Sequence, residues 1–419
     1  ERCLMSSVTS EWYVWVWLPG ESDPVPAGVL TPSGDSMRFS YGSRYLRRSG
    51  AVSLSPTLPL PDATCEPTGS MPLPSAIRDA APDAWGPRVI LNRPTGGRGE
   101  AADTADLPEA IYLLESESNR IGGVDFQRSP TDYVPRGSDT PLPDLQYVAE
   151  LVSAGEQLPA EFHDTVLSGT GIGGARPKTL ATIGGVPSLV KFSVSTDVFP
   201  AVEAEALASN LAARAGISTA PVHTAVIGGK YALVSERFDR AAGSRSRRMV
   251  VSALTIVGRD EVGSRYGSYP ELVEKLVVRS ADPASIAPEL FSRVAFNMMI
   301  SNNDDHLRNH AAFWDGTYLE LTPAYDLAPA ARREGAEITQ TLAYGAAGEK
   351  LAHLGTLVDH ASVYGLTRVE ARARVDFLRG VVSDELPEAA DEMRIPSGTL
   401  ATIRTSFLHD TVTRGLRTT

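Results

Sequence analysis

The chain has 419 residues, of which 42% are hydrophobic and 21% charged, and its formal net charge is -12. This length exceeds one small core and predicts two or three domains of an ordinary globular protein. Its acidity makes it a poor direct partner for nucleic acid, which needs a concentrated basic face. The sequence has no apolar run of membrane-spanning length. With only Cys3 and Cys65 a disulfide framework is excluded, and a cytoplasmic location is expected.

The N-terminal part of the chain is rich in Pro and Gly and predicts a small, mostly β module. Its β-prone runs are Trp12–Leu18, Met37–Tyr41 and Ala51–Leu58, each bounded by turn residues. Trp12–Leu18 has neither a basic leader nor a cleavage site, so it predicts a buried strand rather than a signal peptide. Helical pieces are expected in Pro74–Leu91. A polar, proline-punctuated stretch then predicts a module boundary near residue 140.

The next segment predicts a β-hairpin, a helix and two further strands. Gly184-Gly185 is the hairpin signal, and Gly216 predicts a left-handed cap at the end of the helix. In chain order, the predicted bounds are Thr179–Ile183 and Ser188–Phe192 for the hairpin, Val202–Ala215 for the helix, and Ala220–Ile227 and Tyr231–Glu236 for the strands.

A glycine-rich segment before this hairpin matches G-x-G-x-x-G through Gly169, Gly171 and Gly174. A dinucleotide-binding fold needs a strand before such a loop and a helix after it, whereas here a hairpin follows. A Walker P-loop needs Gly-Lys-Ser/Thr, but Lys178 follows Pro177. The segment best fits a glycine loop whose backbone N–H groups reach nucleotide phosphates. A mobile surface loop remains an alternative.

Lys191 ends the second hairpin run, where apolar neighbours bury its aliphatic stem. A buried ammonium needs an anionic partner, and the following helix offers Glu205, with Glu203 as the alternative. Such a pair directs a lysine towards nucleotide phosphates in kinases. Taken alone, an exposed lysine at a strand edge is the commoner interpretation.

Helical patterns predominate from about residue 252 onward, including Pro270–Arg279 and Pro288–Ile300. Thr367 and Glu370 form a capping box before a long helical run. The second half of the chain is therefore predicted to be mostly α.

Two segments of this half, Ser301–His310 and Leu321–Leu327, carry residues suited to phosphoryl transfer. Asp304 and Asn309 have the D-x-x-x-x-N spacing of a kinase catalytic loop, and Asp326 follows as a further oxygen ligand. A phosphoryl group in transfer carries dispersed negative charge, so a carboxylate orients the acceptor hydroxyl and oxygen ligands hold Mg²⁺. The H-R-D prefix and the D-F-G tripeptide of protein kinases are missing.

The same segment leaves two points open. Asp305 stands beside Asp304 and is a second candidate for the base, although the spacing favours Asp304. His306 and Arg308 lie between the base and Asn309, where they either contact the γ-phosphate or brace the loop.

Taken together, these motifs resemble the HipA family of serine/threonine protein kinases, the toxin components of bacterial toxin–antitoxin pairs. The resemblance extends over most of the chain. Its motifs are the glycine loop Gly173–Lys178, the lysine strand Leu189–Lys191, the lobe junction Ser235–Arg240, the catalytic loop Asn303–Asn309 and the metal loop Leu321–Leu327. The N-terminal module is similar through Ala51–Ser55, Ala81–Asp83, Leu113–Glu117 and Ile121–Gly123.

The resemblance implies an ATP-dependent kinase with Asp304 as general base and with Mg²⁺ on Asn309 and Asp326. It implies that Lys191 and Glu205 pair beside the nucleotide. The other residues implied to contact ATP are Gly173, Gly174, Ala175, Arg176, Pro177, Lys178, Glu236, Arg237, Phe238, His306, Leu307, Arg308, Tyr325, Leu327 and Ala328.

The resemblance also implies partners. The phosphate acceptor is expected to be a protein hydroxyl, in characterised relatives that of an aminoacyl-tRNA synthetase. A small DNA-binding, HipB-like antitoxin is expected to bind, so nucleic acid is contacted only indirectly, and no membrane is involved. Some relatives phosphorylate a serine of their own glycine loop, but that position aligns here with Gly171, leaving Ser168 and Thr170 as candidates. The doubled Asp304-Asp305 stands where relatives often have Asp-Gly.

The predicted fold is α+β and protein-kinase-like, with two lobes after an N-terminal mostly-β module. The predicted domains are residues 1–140 for that module, 141–247 for the small lobe with the glycine loop, and 248–419 for the mainly α-helical large lobe. Two other functions stay open. One is a small-molecule kinase acting on an aminoglycoside-like or sugar hydroxyl, and the other is a catalytically silent module that binds a DNA-binding antitoxin.

Overall fold

The computed structural model describes residues 11–60, 64–69, 71–81, 113–114, 116–137, 140–159, 162, 176–332, 335–414 and 416. The described chain is α+β and divides into two compact units. The first is formed by residues 1–185, 239–251 and 314–316, and the second by residues 186–238, 252–313 and 317–419. The predicted division at residues 140 and 247 stays a prediction.

The first unit contains a five-stranded sheet in the order β4-β3-β2-β1-β5, with antiparallel neighbours. Burial alternates along β3, so one face of the sheet covers a core that includes Phe39, Leu30 and Phe126. At Gly28 a Cβ would lie 2.2 Å from the Ser40 carbonyl oxygen, so only glycine permits this strand approach. The strands are β1 (Trp12–Val16), β2 (Val25–Ser33), β3 (Ser36–Tyr41), β4 (Thr64–Cys65) and β5 (Val124–Gln127).

One predicted strand of this unit, Ala51–Leu58, is wrong, because the segment forms no strand and turns from residue 54 onward. Its backbone groups bond to tyrosine side chains instead of a neighbouring strand. The Tyr41 hydroxyl donates to the Leu58 carbonyl at 2.6 Å and accepts from the Leu54 N–H at 2.9 Å. These bonds satisfy buried backbone groups without a ladder.

A buried charged cluster also lies in the first unit. Arg120 is fully buried, and its Nε donates to Asp125 Oδ1 at 3.0 Å. Arg136 Nη2 donates to the same oxygen at 3.0 Å, and the Tyr133 hydroxyl donates to Asp125 Oδ2 at 2.9 Å. Burial lowers the pKa of Arg120 to about 10. Burial opposes ionisation of Asp125 as well, but the attraction of the two arginines holds the pKa of Asp125 below its ordinary value.

The hairpin strands, the helix and the strands predicted around it are present. Strand β6 (Lys178–Ile183) precedes β7 (Val186–Phe192), and Gly184 and Gly185 between them have φ of 58° and 85°. Both values lie in the left-handed region that a tight two-glycine turn requires. In the second unit, β9 (Lys230–Glu236) pairs antiparallel with both β7 and β8 (Val222–Ile227).

An alanine-rich helix, α4 (Ala201–Arg214), packs against β8 and β9. Its buried positions include Ala204, Ala206, Ala208 and Ala212. Gly216 follows the helix with φ of 74°, which confirms the predicted left-handed termination.

The rest of the second unit is mainly helical. The predicted start of a helix at Pro288 is wrong, because α7 begins at Pro283 and contains Pro288 within it. Proline removes one backbone hydrogen bond near the start of the helix, which the longer helix tolerates. The capping box of Thr367 and Glu370 is confirmed.

The remaining helices and strands of the two units are α1 (Ser43–Leu46), α2 (Ser75–Arg78), α3 (Leu142–Ala154), α5 (Ala253–Ile256), α6 (Tyr269–Arg279), α7 (Pro283–Met299), α8 (Leu354–Asp359), α9 (Arg368–Asp384), α10 (Leu386–Glu392), α11 (Ser397–Arg404), α12 (Asp410–Thr413), β10 (Met249–Ser252), β11 (Ala311–Trp314) and β12 (Leu319–Leu321).

Across the part of the chain that the structure describes, every helix is too short or too polar to cross a lipid bilayer.

Candidate active site

Lys191 joins three elements of the second unit. It lies near the end of β7, and its Nζ donates to Glu205 Oε1 on α4 at 2.5 Å and to Asp326 Oδ1 at 2.6 Å. Lys191 and Glu205 are each about 6% exposed, whereas the Asp326 side chain is 40% exposed. Glu205 rather than Glu203 therefore supplies the carboxylate beside the lysine, and Asp326 extends the pair towards solvent.

The two carboxylates determine the charge of this lysine. Burial alone lowers a lysine pKa because the interior disfavours the ammonium. At Lys191 the attraction of Asp326 and then of Glu205 exceeds this effect, so the pKa of Lys191 is raised above its ordinary value. The site thus holds a permanent ammonium between a buried and a partly exposed carboxylate.

Asp326 lies in a loop that is bonded to the segment containing Asp304. Asn302 Nδ2 donates to the Asp326 carbonyl oxygen at 3.3 Å, and the Tyr325 hydroxyl donates to the Arg308 carbonyl oxygen at 2.7 Å. Asp326 has φ of 57°, a left-handed conformation that is uncommon for residues other than glycine. These bonds fix the backbone at Asp326 against the 301–310 segment.

The neighbouring carboxylates Asp304 and Asp305 have opposite environments. Asp304 is exposed, whereas Asp305 is 2% exposed. The Tyr269 hydroxyl donates to Asp305 Oδ2, and His310 Nε2 lies 3.0 Å from Asp305 Oδ1. Asp304 is the carboxylate that an acceptor in solution can reach, and Asp305 is committed to internal contacts.

These internal contacts determine the ionisation of the group. Burial raises the pKa of Asp305, but the attraction of His310 and the hydrogen bonds from His310 and Tyr269 are larger together, so the pKa lies below its ordinary value. Burial and the nearby Asp305 charge raise the pKa of Tyr269 well above 10. Tyr269 is therefore a hydrogen-bond donor to an ionised carboxylate.

Asn309 and Asp326 offer oxygen ligands of the kind that Mg²⁺ prefers. Asn309 is buried at the end of a 3-10 turn, and its Nδ2 donates to the Asp304 carbonyl oxygen at 3.4 Å. This bond uses the amide nitrogen of Asn309, so its amide oxygen is the atom that would serve as a ligand. In the described ranges, no group of three or more His, Cys, Asp or Glu side chains is arranged to hold a metal ion. The donor types fit a metal ion that also takes phosphate and water oxygens.

The remaining residues of the 306–309 segment have distinct positions. Arg308 Nε donates to Glu261 Oε1 at 3.1 Å, which ties the segment to the loop after α5. Leu307 is fully buried, and a Cβ on Gly267 would lie 2.6 Å from its Cδ1, so glycine is needed there. His306 has a buried Nδ1 without a hydrogen-bond partner among the described residues. Leu307 and Arg308 thus brace the loop.

Phe238 lies beside the loop that carries Asp326. Its ring centroid is 5.7 Å from that of Phe313 and 5.8 Å from that of Tyr325. Glu236 is exposed and Arg237 is buried. Leu327 is buried, and Ala328 beside it is partly buried. An aromatic surface therefore flanks the Asp326 loop.

The structure describes only residues 176–178 of the predicted glycine loop. Gly173, Gly174 and Ala175 lie outside the described residues, as do the hydroxyl-bearing Ser168 and Thr170. Arg176, Pro177 and Lys178 belong to the first unit, and Lys178 is buried at the start of β6. Nucleotide contacts by this segment stay a prediction.

Sequence reasoning missed three residues that hold the candidate site, namely Asn302, Tyr269 and His310. Asn302 bonds to Asn297 Oδ1 at 3.0 Å as well as to Asp326. Tyr269 is distant in sequence, and its spacing to Asp305 carries no local periodicity. His310 was visible as the polar residue directly after Asn309, and only its burial reveals the contact with Asp305.

The fold and the site together define a kinase-like α+β protein. Its structure is similar to that of HipA from Shewanella oneidensis MR-1, solved in a complex with HipB and operator DNA. The TM-score is 0.65 at 20% sequence identity, over 92% of this chain and 94% of the other. The Helicobacter pylori proinflammatory kinase CtkA gives a TM-score of 0.38 at 10% identity over 57% of this chain and 93% of that one, a similarity too weak to carry a conclusion.

The family follows from the sequence. The model described as the HipA-like C-terminal domain matches residues 170–385, and the chain belongs to the HipA family. The chain is also 30% identical over 148 residues to Y4mE of Sinorhizobium fredii, which is named as a kinase. That match covers 34% of this chain and 34% of Y4mE.

Proposed function

We propose that the chain is an ATP-dependent serine/threonine protein kinase that transfers the γ-phosphate of ATP to a protein hydroxyl. The observation that carries the proposal is the pairing of buried Lys191 with Glu205 at 2.5 Å and with Asp326 at 2.6 Å. A lysine on a strand paired with a glutamate on the following helix is the device that kinases use to hold the α- and β-phosphates. Membership of the HipA family supports the same activity.

The proposed chemistry assigns a role to each polar group. The acceptor oxygen attacks the γ-phosphorus, and the bond between this phosphorus and the β–γ bridging oxygen breaks. Its electron pair leaves with ADP. Asp304, the exposed carboxylate, orients the hydroxyl and takes its proton. Lys191 supplies a fixed positive charge to the phosphates.

Asn309 and Asp326 would hold Mg²⁺, which neutralises phosphate charge when bound. Because Lys191 donates to Asp326 Oδ1, the ammonium contacts the same carboxylate that is proposed to bind the metal ion. Phosphate binding between them would therefore exchange part of the Lys191–Asp326 contact for contacts with the nucleotide. The aromatic ring of Phe238, beside Tyr325, is proposed to lie near the adenine ring of ATP, together with Glu236 and Arg237.

The acceptor is proposed to be a protein serine or threonine, such as one of an aminoacyl-tRNA synthetase. A small HipB-like antitoxin is the proposed partner, and contact with DNA would be indirect. Support for the partner is that the similar Shewanella structure is a complex of HipA with HipB and operator DNA. Self-phosphorylation at Ser168 or Thr170 belongs to the same proposal.

The experiment incubates the chain with γ-labelled ATP, Mg²⁺ and a bacterial lysate. The comparison is with Asp304→Ala and with the matched control Asp391→Ala, whose side chain is exposed on α10. The proposal expects labelled protein with the native chain and the control and not with Asp304→Ala. Label on a sugar or aminoglycoside instead would favour the small-molecule kinase. Nucleotide binding without any transfer would favour a silent antitoxin-binding module.

A further inference from the structure

The two adjacent aspartates of the candidate catalytic loop divide their tasks by burial. Asp304 is exposed and Asp305 is buried, although nothing in their chemistry distinguishes them. A buried carboxylate is stable only when its oxygens are hydrogen-bonded or paired. Both oxygens of Asp305 have such contacts, with Tyr269 at Oδ2 and with His310 at Oδ1.

The contacts come from separate elements of the second unit. Tyr269 is the first residue of α6, and its backbone N–H donates to the Ala343 carbonyl oxygen at 2.8 Å. His310 leads into β11, and its carbonyl oxygen accepts from the Ala253 N–H at 2.7 Å. The Tyr269 hydroxyl also lies 3.1 Å from His310 Nε2. Asp305 thus ties the loop to two anchored elements at one point.

The three side chains of this connection are almost completely buried. Tyr269, Asp305 and His310 are 1%, 2% and 3% exposed. The anchored residue directly follows Asp304 and lies four positions before Asn309. Since a displacement of about 1 Å at a reacting group can cost about 100-fold in rate, a mobile loop at this position would be costly for transfer.

We propose that Asp305, held by Tyr269 and His310, is the positioning residue of this loop and sets the location of Asp304. The proposal rests on the proposed kinase function for its kinetic consequence, but not for its structural one. Asp305 acts through its neighbours and does not touch the acceptor or the nucleotide.

The kinetic test uses Asp305→Asn and Tyr269→Phe. Asp305→Asn keeps the shape and removes the charge, and we expect kcat to fall about 10–100-fold with little change in the KM for ATP. Combined with Asp304→Ala, Asp305→Asn should cause no further loss, because its effect passes through the base. Tyr344→Phe is the control, since it removes the hydroxyl of another buried tyrosine, one that donates to the backbone carbonyl of Leu351 at 2.8 Å.

The structural test is hydrogen–deuterium exchange of residues 301–310 in the native chain and the same variants. We expect faster exchange in this segment for Asp305→Asn and Tyr269→Phe, and native exchange for Tyr344→Phe. Unchanged exchange in Asp305→Asn, an unchanged kcat, or a further loss in the Asp304→Ala background would each overturn the proposal. A native chain without phosphotransfer would reject the kinase function, and the exchange result would then decide on Asp305 by itself.

Discussion

Replacement of Lys191 by methionine separates what this lysine contributes to stability from what it contributes to function. Methionine keeps the length and apolar stem of the side chain but removes its charge. The buried Glu205 would then lose the ammonium that lies 2.5 Å from its Oε1. Breaking a buried ion pair on one side costs about 3–5 kcal/mol, mainly because the remaining charge is uncompensated.

The structure places the expected cost near the lower end of this range. The Asp326 side chain is 40% exposed, so solvent screens its interaction with Lys191 and adds little. We therefore expect Lys191→Met to lower the free energy of unfolding of the second unit by about 3 kcal/mol. Adding Glu205→Leu should recover most of that loss, because an apolar pair leaves no buried charge. Phosphotransfer should be absent from both variants.

Hydrogen exchange of the amides in β7 and α4 measures this free energy locally, and urea unfolding followed by circular dichroism supports it. A single variant as stable as the native chain would refute the buried pair. So would a double variant no more stable than Lys191→Met. Either variant with native phosphotransfer would refute the role of Lys191 at the phosphates.

Three further predictions concern single residues. Asp304→Ala should lower turnover by about 10²–10⁴-fold with an unchanged circular dichroism spectrum, whereas Asp391→Ala should keep native turnover. Thr367→Ala removes the cap of α9 and should cost about 1 kcal/mol in urea unfolding; no loss would mean that the cap is dispensable. Because the pKa of Asp125 is lowered from 3.8 in the folded chain, its ionisation stabilises the fold above pH 3.8, and that contribution is lost as the pH falls through the folded pKa. Asp125→Asn should therefore flatten the acid limb of the stability profile, and a parallel limb in this variant would contradict the paired carboxylate.

Local sequence signals predicted much of the fold around the candidate site. The glycine pair before β7, Gly216 after α4 and the capping box before α9 all act within a few residues, so their consequences can be derived from spacing alone. The predicted strand Ala51–Leu58 was wrong because side chains from elsewhere, Tyr41 among them, form hydrogen bonds with the backbone of this segment. The predicted start of α7 at Pro288 was wrong because the helix begins earlier and tolerates this proline in its interior.

Within the site, the sequence indicated which residue types belong together but not how each is held. The buried lysine implied a carboxylate, and the following helix offered Glu205, with Glu203 as the alternative. Spacing could not separate the environments of Asp304 and Asp305, since those depend on Tyr269, which is 36 positions from Asp305 in sequence. Contacts over such sequence distances are a property of packing, which a single sequence does not encode locally.

The central claim is that Lys191, Asn309 and Asp326 surround one nucleotide. A crystal structure with Mg²⁺ and a non-hydrolysable ATP analogue tests it most directly. We expect Lys191 Nζ within hydrogen-bond distance of the α- or β-phosphate, and oxygens of Asn309 and Asp326 at about 2.0–2.1 Å from the metal ion. A nucleotide bound elsewhere, with the Lys191–Asp326 contact intact and no metal ion at these oxygens, would contradict the proposed nucleotide site.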